Sequence, residues 1–323
     1  MSSADSEQTT MRVQCVILNY KTAEMTLKAI AAAQRACARL ESYRIDVVDN
    51  DSQDGSFETL SEACADMDDV VVMQSGHNGG FGAGNNFAMR RALASGEKPD
   101  YVFLLNSDAF PHEDAIEVLV RFMDDHPEAG IAGSALHGSD GVPHISSFRF
   151  PTLASEVLGS FRLGALTKVL PEKEVPIRPR PDQTRPVDWL AGAAMMIRRE
   201  TLETVGLFDE TFFLYFEETD LCRRARLAGF ETWYVVESKV EHVGHASTGL
   251  KDLKRPMPRY WFDSRRHYFL KNHGKAYTWA ANTAQAVGLA TFKVRAKIQQ
   301  KDDPDPARFL RDFVRYNFLD ERP

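Results

Sequence analysis

No run in this 323-residue chain approaches the roughly 18 consecutive apolar residues needed to cross a bilayer. The first ten residues carry Asp5 and Glu7 but no Lys or Arg, so no secretory leader is written there, and neither export nor membrane crossing is expected. Cysteine is scarce. Cys15, Cys37, Cys64 and Cys222 are scattered without C-x-x-C spacing, which excludes a zinc ribbon or a disulfide framework and suits a reducing cytoplasm. Internal repeats and low-complexity tracts are missing as well. What is there is an ordinary globular composition, 43% hydrophobic and 26% charged, enough for one large domain with an appendage or for two domains. The net charge of −7 conceals an asymmetry: residues 251 to 301 hold twelve Lys or Arg against Asp252 and Asp263, so that segment carries +10 and the rest about −17. Such a tract suits an anionic surface, lipid headgroups or a phosphate-bearing acceptor, and equally suits a solvated helical face.

The most informative stretch is FFLYFEETDLCRR, residues 212 to 224, where Glu217, Glu218 and Asp220 follow a run of aromatic and apolar residues. Burial and like-charge crowding both raise a carboxyl pKa, the condition under which Glu serves as a base near neutral pH. The same residues also read as a helix start, where acidic side chains meet orphan N–H groups and the positive end of the dipole. The two readings are compatible, since a helix start is a rigid mount for a base.

Along the chain, strands and helices alternate. Arg12 to Leu18, Arg44 to Val48, Val70 to Met73, Tyr101 to Leu105 and Gly130 to Ala135 read as strands. Helices are expected from Thr22 to about Leu40, Phe57 to Met67, the glycine-rich loop to about Ser95, and Asp114 to Asp125. The order argues an α/β fold with a mainly parallel sheet covered by helices on both faces, and ligands at the carboxyl ends of the strands. The pattern breaks between about 138 and 186, where Pro171, Pro176, Pro179, Pro181 and Pro186 preclude regular structure, and this segment is expected to be an acceptor-side flap. A helix from Glu200 to Val205, a strand from Thr232 to Val236, and two amphipathic helices around Tyr260 to Lys271 and Ala307 to Phe318 complete the reading.

Each early strand ends in polar groups: Asn19 and Tyr20, Asp49 and Asn50, the loop HNGGFGAGNN with Asn78 and Gly80, then Asn106, Ser107 and Asp108. One polar strand end is loop chemistry; four on one rim make a site. The glycine loop is not a dinucleotide fingerprint, because Asn85 and Phe87 stand where the third glycine would fall. Its open N–H groups suit a diphosphate, and its lack of side chains suits close backbone approach. Asp108, just past a buried strand, can hold Mg²⁺ or Mn²⁺, and His242 or His245 could complete the coordination, although either imidazole also reads as an ordinary surface residue.

The succession VILNYKT, VVDNDSQDGS, NGGFGAGNN, LLNSD, WLAGAAMMIRRETLETVGLFDETFFLYFEETDLCRRARLAGF and VEHVGHAST resembles bacterial family 2 inverting glycosyltransferases, in particular their rhamnosyltransferase branch, over roughly residues 11 to 250. The resemblance implies a GT-A fold, a nucleotide-diphosphate sugar donor and a divalent metal. It divides the chain into a disordered stretch 1–10, a nucleotide-sugar half 11–135, an acceptor and catalytic half 136–250, and a basic helical extension 251–323. Carried over by position, it makes Asn19, Tyr20 and Asp49 contacts to donor base and ribose, with Asn78 and Gly80 beside them. Asn106 and Asp108 stand at the D-x-D metal motif, and His242 at a metal or diphosphate contact. Glu217 and Glu218 stand at the Glu-Asp pair whose second member is the base, Glu218 replacing Asp, so the choice among Glu217, Glu218 and Asp220 stays open. Asn106 in place of Asp removes one charge from the metal site.

The expected reaction is transfer with inversion, first from dTDP-rhamnose and then from UDP-sugars, to a glycan or polyprenyl-diphosphate-linked acceptor in bacterial surface polysaccharide synthesis. Asp188 and Trp189 are candidates for the acceptor pocket, an aromatic face suiting a sugar ring, although a core Trp reads the same. The expected setting is cytoplasmic, with the basic segment at the inner membrane face or in self-association; no nucleic-acid partner is expected. Two rivals are a sugar nucleotidyltransferase, which the NYKTAEMT after the first strand disfavours, and a non-catalytic nucleotide-sugar or glycan-binding protein on the same scaffold.

Overall fold

The computed structural model describes residues 12–244 and 254–320; the stretch expected to be disordered at 1–10, and His245, lie outside the described residues. Its strands in chain order are β1 (Val13–Asn19), β2 (Tyr43–Asp49), β3 (Val70–Gln74), β4 (Tyr101–Asn106), β5 (Ala109–Pro111), β6 (Ala129–His137), β7 (Ser147–Phe148), β8 (Arg185–Val187), β9 (Trp189–Leu190), β10 (Ala194–Arg198) and β11 (Glu231–His242). The helices are α1 (Ala23–Cys37), α2 (Ser56–Ala63), α3 (Gly80–Ala94), α4 (Ala115–Asp125), α5 (Leu153–Phe161), α6 (Gly164–Val169), α7 (Arg199–Val205), α8 (Glu217–Leu227), α9 (Arg259–Ile298) and α10 (Phe309–Val314).

The main sheet runs β3-β2-β1-β4-β10-β6-β11-β5, with β8 also on β11. Strands β1 to β4, β6 and β11 point one way, while β10, β5 and β8 run against them. Alternation along a strand buried on both sides explains the apolar runs: Val13, Cys15 and Ile17 pack with α1, α2 and α4, whereas Val16, Val48 and Leu104 face α3 and α8. Parallel register then fixes the site. Asn19 pairs with Asp49 and Leu18 with Asn106, so three polar strand ends share one rim.

Two expectations need correcting. The prolines keep 174–184 free of helix and strand, but Pro171 opens a 3-10 turn and Pro186 sits in the edge strand β8 opposite Trp233. Residues 138–170 hold β7, α5 and α6, α5 starting in a capping box between Thr152 and Ser155. The helix expected at 260–271 continues through a kink at Gly274, whose φ of 79° suits only glycine at no cost, to give the 40-residue α9. Small residues let α9 lie close on α5, where a Cβ on Gly288 would come within 2.1 Å of Ser160 Oγ. The helix is further held by Phe212, Tyr268 and Phe269, all fully buried, each worth about 1.5–3 kcal/mol.

Candidate active site

The first part of the rim is a pre-formed polar floor. Asn19 donates to Asp49 Oδ1 at 2.7 Å, Ser52 Oγ to the same oxygen at 2.5 Å, and the Ser52 N–H to Oδ2 at 3.1 Å. Asn19 and Asp49 are both fully buried, so they shape this corner from beneath. Tyr20, next in the chain and half-buried, has Lys21 Nζ 5.2 Å from its ring centre. Asn78 is a brace: its Oδ1 accepts from Asn50 and from the Gly80 N–H, both at 3.0 Å, tying the loop after β2 to the start of α3. Gly80, at φ 88°, lies against the acidic tract. A Cβ there would fall 1.7 Å from the Phe213 carbonyl oxygen, which accepts the Phe81 N–H at 3.0 Å. Close backbone approach, one of the two uses open to the glycine loop, is therefore the one realised at Gly80.

The second part is the end of β4. β11 pairs with β5 so that His242 lies opposite Ala109, and this brings His242 Nε2 within 3.2 Å of Asp108 Oδ1. Asp108 is buried at 5% exposure, and its carbonyl accepts the Val243 N–H. An oxygen and an imidazole nitrogen converge here as a donor pair that fits Mn²⁺ or Mg²⁺ only if a diphosphate or water supplies the rest; no cluster of three His, Cys, Asp or Glu exists among the described residues. Asn106, half-buried at the strand end, donates its N–H to the Ala193 carbonyl at 3.0 Å. Next to Ala193, the Gly192 N–H hydrogen-bonds Glu218. The β9–β10 turn thus connects the Asp108 end of the rim to the carboxylate tract.

That tract opens α8, as the helix-start reading expects. Tyr215 and Phe216 each have φ 71°, two successive bulky residues in the left-handed region, and this strained bend delivers Glu217 and Glu218 to the first turn. Glu217 is 2% exposed and beside Gly82; burial, then the charge of Glu218, push its carboxyl well up. Burial raises Glu218 to about 7, against the opposing pull of its own N–H and that of Gly192. Glu218 looks into a cavity of about 250 Å³ lined by Pro151, Glu156, Trp189, Tyr215, Phe216 and Trp261 among others. Trp189 lines this cavity, stacked on Phe148 at 4.2 Å with its N–H on the Arg149 carbonyl.

Two other candidates lie elsewhere. Asp188 does not line the cavity; its carboxylate accepts the Phe150 N–H at 2.8 Å and pairs with Arg226. Asp220, fully buried, is locked between Arg224 Nε and Lys271 Nζ, each at 2.8 Å, and it does not line the cavity either.

The glycosyl transferase family 2 profile matches residues 15–205. The chain belongs to glycosyl transferase family 2. This glycosyltransferase is 31% identical over 215 residues to N-acetylglucosaminyl-diphospho-decaprenol L-rhamnosyltransferase of Mycobacterium tuberculosis, covering 63% of this chain and 67% of that one. It is 28% identical over 208 residues to rhamnosyltransferase WbbL of Escherichia coli K12, covering 64% and 74%. Its fold is that of GT-A glycosyltransferases, as in the mannosyltransferase PcManGT from Pyrobaculum calidifontis, solved with GDP-Man and Mn²⁺ (TM-score 0.57, 15% identity, 92% of this chain and 78% of that one). A nucleotidyltransferase is thereby set aside.

What sequence reasoning missed in this glycosyltransferase is the far wall of the cavity. Trp261, Arg265 and Gln285 come from α9, more than thirty residues past the end of α8; like α8 itself, they lie beyond the matched residues 15–205. The basic tract 251–301 stands out in the sequence for its charge. Part of that charge is internal: Lys271 bridges Asp209 and Asp220, and Arg265, 1% exposed, pairs with Glu156.

Proposed function

We propose that the enzyme transfers a sugar from a nucleotide-diphosphate donor to an acceptor hydroxyl with inversion, and that Glu218 is the base. The observation that carries this is the placement of Glu218: a carboxylate at a helix start, facing an aromatic cavity, with its proton affinity lifted to about 7 by burial. Glu218 takes the acceptor proton, the freed oxygen forms the bond to the anomeric carbon, and the bond from that carbon to the diphosphate breaks on the opposite face with its electron pair leaving on the diphosphate. Glu217 lies behind the cavity surface and Asp220 is held by two cations, so neither competes for this role. Asp108 and His242 would hold the divalent ion, whose chemistry is to neutralise charge on the diphosphate. Asn106, with no charge, leaves that site to Asp108. Asn19, Tyr20 and Asp49 form the corner where base and ribose would rest, with Asn78 and Gly80 keeping its side loop in place.

The rhamnosyltransferase relatives make dTDP-rhamnose the first donor to try, then UDP-sugars, and a glycan or polyprenyl-diphosphate-linked acceptor in surface polysaccharide synthesis. Contact with an anionic membrane would use the outer face of α9. Trp279, Val287, Val294 and Ile298 are exposed there and fall within about a 100° arc at 3.6 residues per turn, with Lys275, Lys293 and Lys297 along its side. No helix among the described residues is long and apolar enough to cross a membrane. Flotation with anionic vesicles should carry the protein upward, and with neutral vesicles should not; equal behaviour with both removes this contact.

A thermal-shift screen against nucleoside diphosphates with and without Mn²⁺ tests the donor site, because a ligand of the folded state raises its stability by mass action. A metal-dependent shift is expected for the wild type and its loss for Asp108→Ala; the same shift in both proteins contradicts the role of Asp108.

A further inference from the structure

The cavity in front of Glu218 has an unusual set of loose ends. Three of its lining side chains carry buried polar atoms with no hydrogen-bond partner among the described residues: Glu218 Oε2, Gln285 Oε1 and Arg265 Nε. Buried polar atoms are normally paired, so three converging on one cavity mark a place where a polar ligand completes them. Two of the three accept and one donates, the pattern matched by neighbouring hydroxyls, each of which both donates and accepts. The remaining surface is aromatic: Trp189, Tyr215, Phe216 and Trp261. At about 250 Å³ the cavity is below the roughly 300–1,000 Å³ of sites for drug-sized ligands, room for one ring rather than an oligosaccharide.

Charge narrows the class. Arg265 is the cation at this wall, but its terminal nitrogens are already engaged by Glu156 and by Asn282 Oδ1 at 2.6 Å. With Glu156 and Glu218 both present, the wall carries no surplus positive charge for an anion. We propose that this cavity is an acceptor subsite for one neutral pyranose, with Gln285 Oε1 and Arg265 Nε binding its non-reacting hydroxyls while a third hydroxyl meets Glu218. The subsite rests on the reading of Glu218 as base, and its recognition groups come from a different element, α9. Acceptor choice is thus set by the carboxyl-terminal helix, and any diphosphate on a lipid-linked acceptor lies outside this cavity.

The test is saturation-transfer NMR with a panel of octyl hexopyranosides as probes, beside octyl glucuronide and a hexose 6-phosphate. At least one neutral hexopyranoside should bind the wild type, with the charged probes much weaker. Gln285→Leu should weaken that binding about tenfold or more by removing an acceptor from a buried site. Gln285 is only half-buried, so this variant keeps the fold, and an unchanged melting temperature checks that it does. Arg265→Lys, which retains charge but not the Nε–H geometry, should weaken binding independently. No binding of any neutral hexopyranoside, equal binding of the uronide, or unchanged affinity in Gln285→Leu overturns the subsite. Binding needs no turnover, so a failure here is distinct from a failure of Glu218 as base, which Glu218→Gln turnover reports.

Discussion

Replacing Glu218 by Gln should stabilise the protein, and only above a defined pH. The folded carboxyl titrates at about 7 against an ordinary 4.5, so between these values the native state keeps a proton that the unfolded chain has released. Stability therefore falls as pH rises through this window and has lost its full amount above about 7. A shift of about 2.5 units corresponds to roughly 3 kcal/mol at 1.36 kcal/mol per unit, an upper figure because relaxation and water entry reduce it. Gln carries no such penalty. Calorimetric unfolding from pH 4.5 to 8 should show the two proteins melting together at the acid end and Glu218→Gln melting higher by up to about 4 °C at pH 8, at about 1.5 °C per kcal/mol for a chain of this length. Glu217→Gln should shift stability in the same direction, since burial and then the charge of Glu218 hold its carboxyl well above the ordinary value. A melting difference independent of pH, or a wild type that is the more stable at pH 8, would refute the claim that burial holds these carboxyls against ionisation.

Lys271→Ala should cost about 1.5–3 kcal/mol near pH 7 by breaking charged hydrogen bonds to Asp209 and Asp220. Burial alone would raise the Asp209 carboxyl, but Lys271 and His267 hold it below its ordinary 3.8; the stability it gives is present above that value and lost as pH falls, so the gap between Lys271→Ala and wild type should narrow in acid. A constant gap across pH in denaturant titrations contradicts this. Gly80→Ala should be far worse than Gly55→Ala: both have positive φ, each costing about 1–3 kcal/mol, but a Cβ on Gly80 would strike the Phe213 carbonyl whereas at Gly55 there is nothing within 4 Å. Equal melting temperatures for the two variants would remove the close contact between the glycine loop and the acidic tract.

Much of the polar rim was legible from sequence because it is local. Val13 to Leu18 and Tyr101 to Leu105 announce buried parallel strands, and parallel register then forces Asn19, Asp49 and Asn106 together. Glu218 was legible as a pattern, but Asp220, two residues on, was equally good until Arg224 and Lys271 were seen to claim it. The wall that α9 gives the cavity was hidden for a physical reason. Residues 276–298 hold seven Ala and three Thr, and of their larger apolar side chains Trp279, Val287, Val294 and Ile298 face outward, so the packed face is written mainly in small residues, with Gly288 close on Ser160. Nothing local in Trp261, Arg265 or Gln285 says that they face Glu218; only the docking of α9 on α5 does. Likewise Asp188 beside Trp189 suggested a shared role, but in the short extended stretch from β8 to β9 neighbours point to opposite sides, and Asp188 meets Arg226 instead.

The division of labour in the site is tested most directly by measuring donor binding and turnover on the same protein. Calorimetric titration of Glu218→Gln with a nucleoside diphosphate and Mn²⁺, beside its rate of sugar transfer, should give wild-type affinity with turnover reduced by about 10² to 10⁴. Undiminished transfer by Glu218→Gln would contradict the assignment of Glu218 as the base.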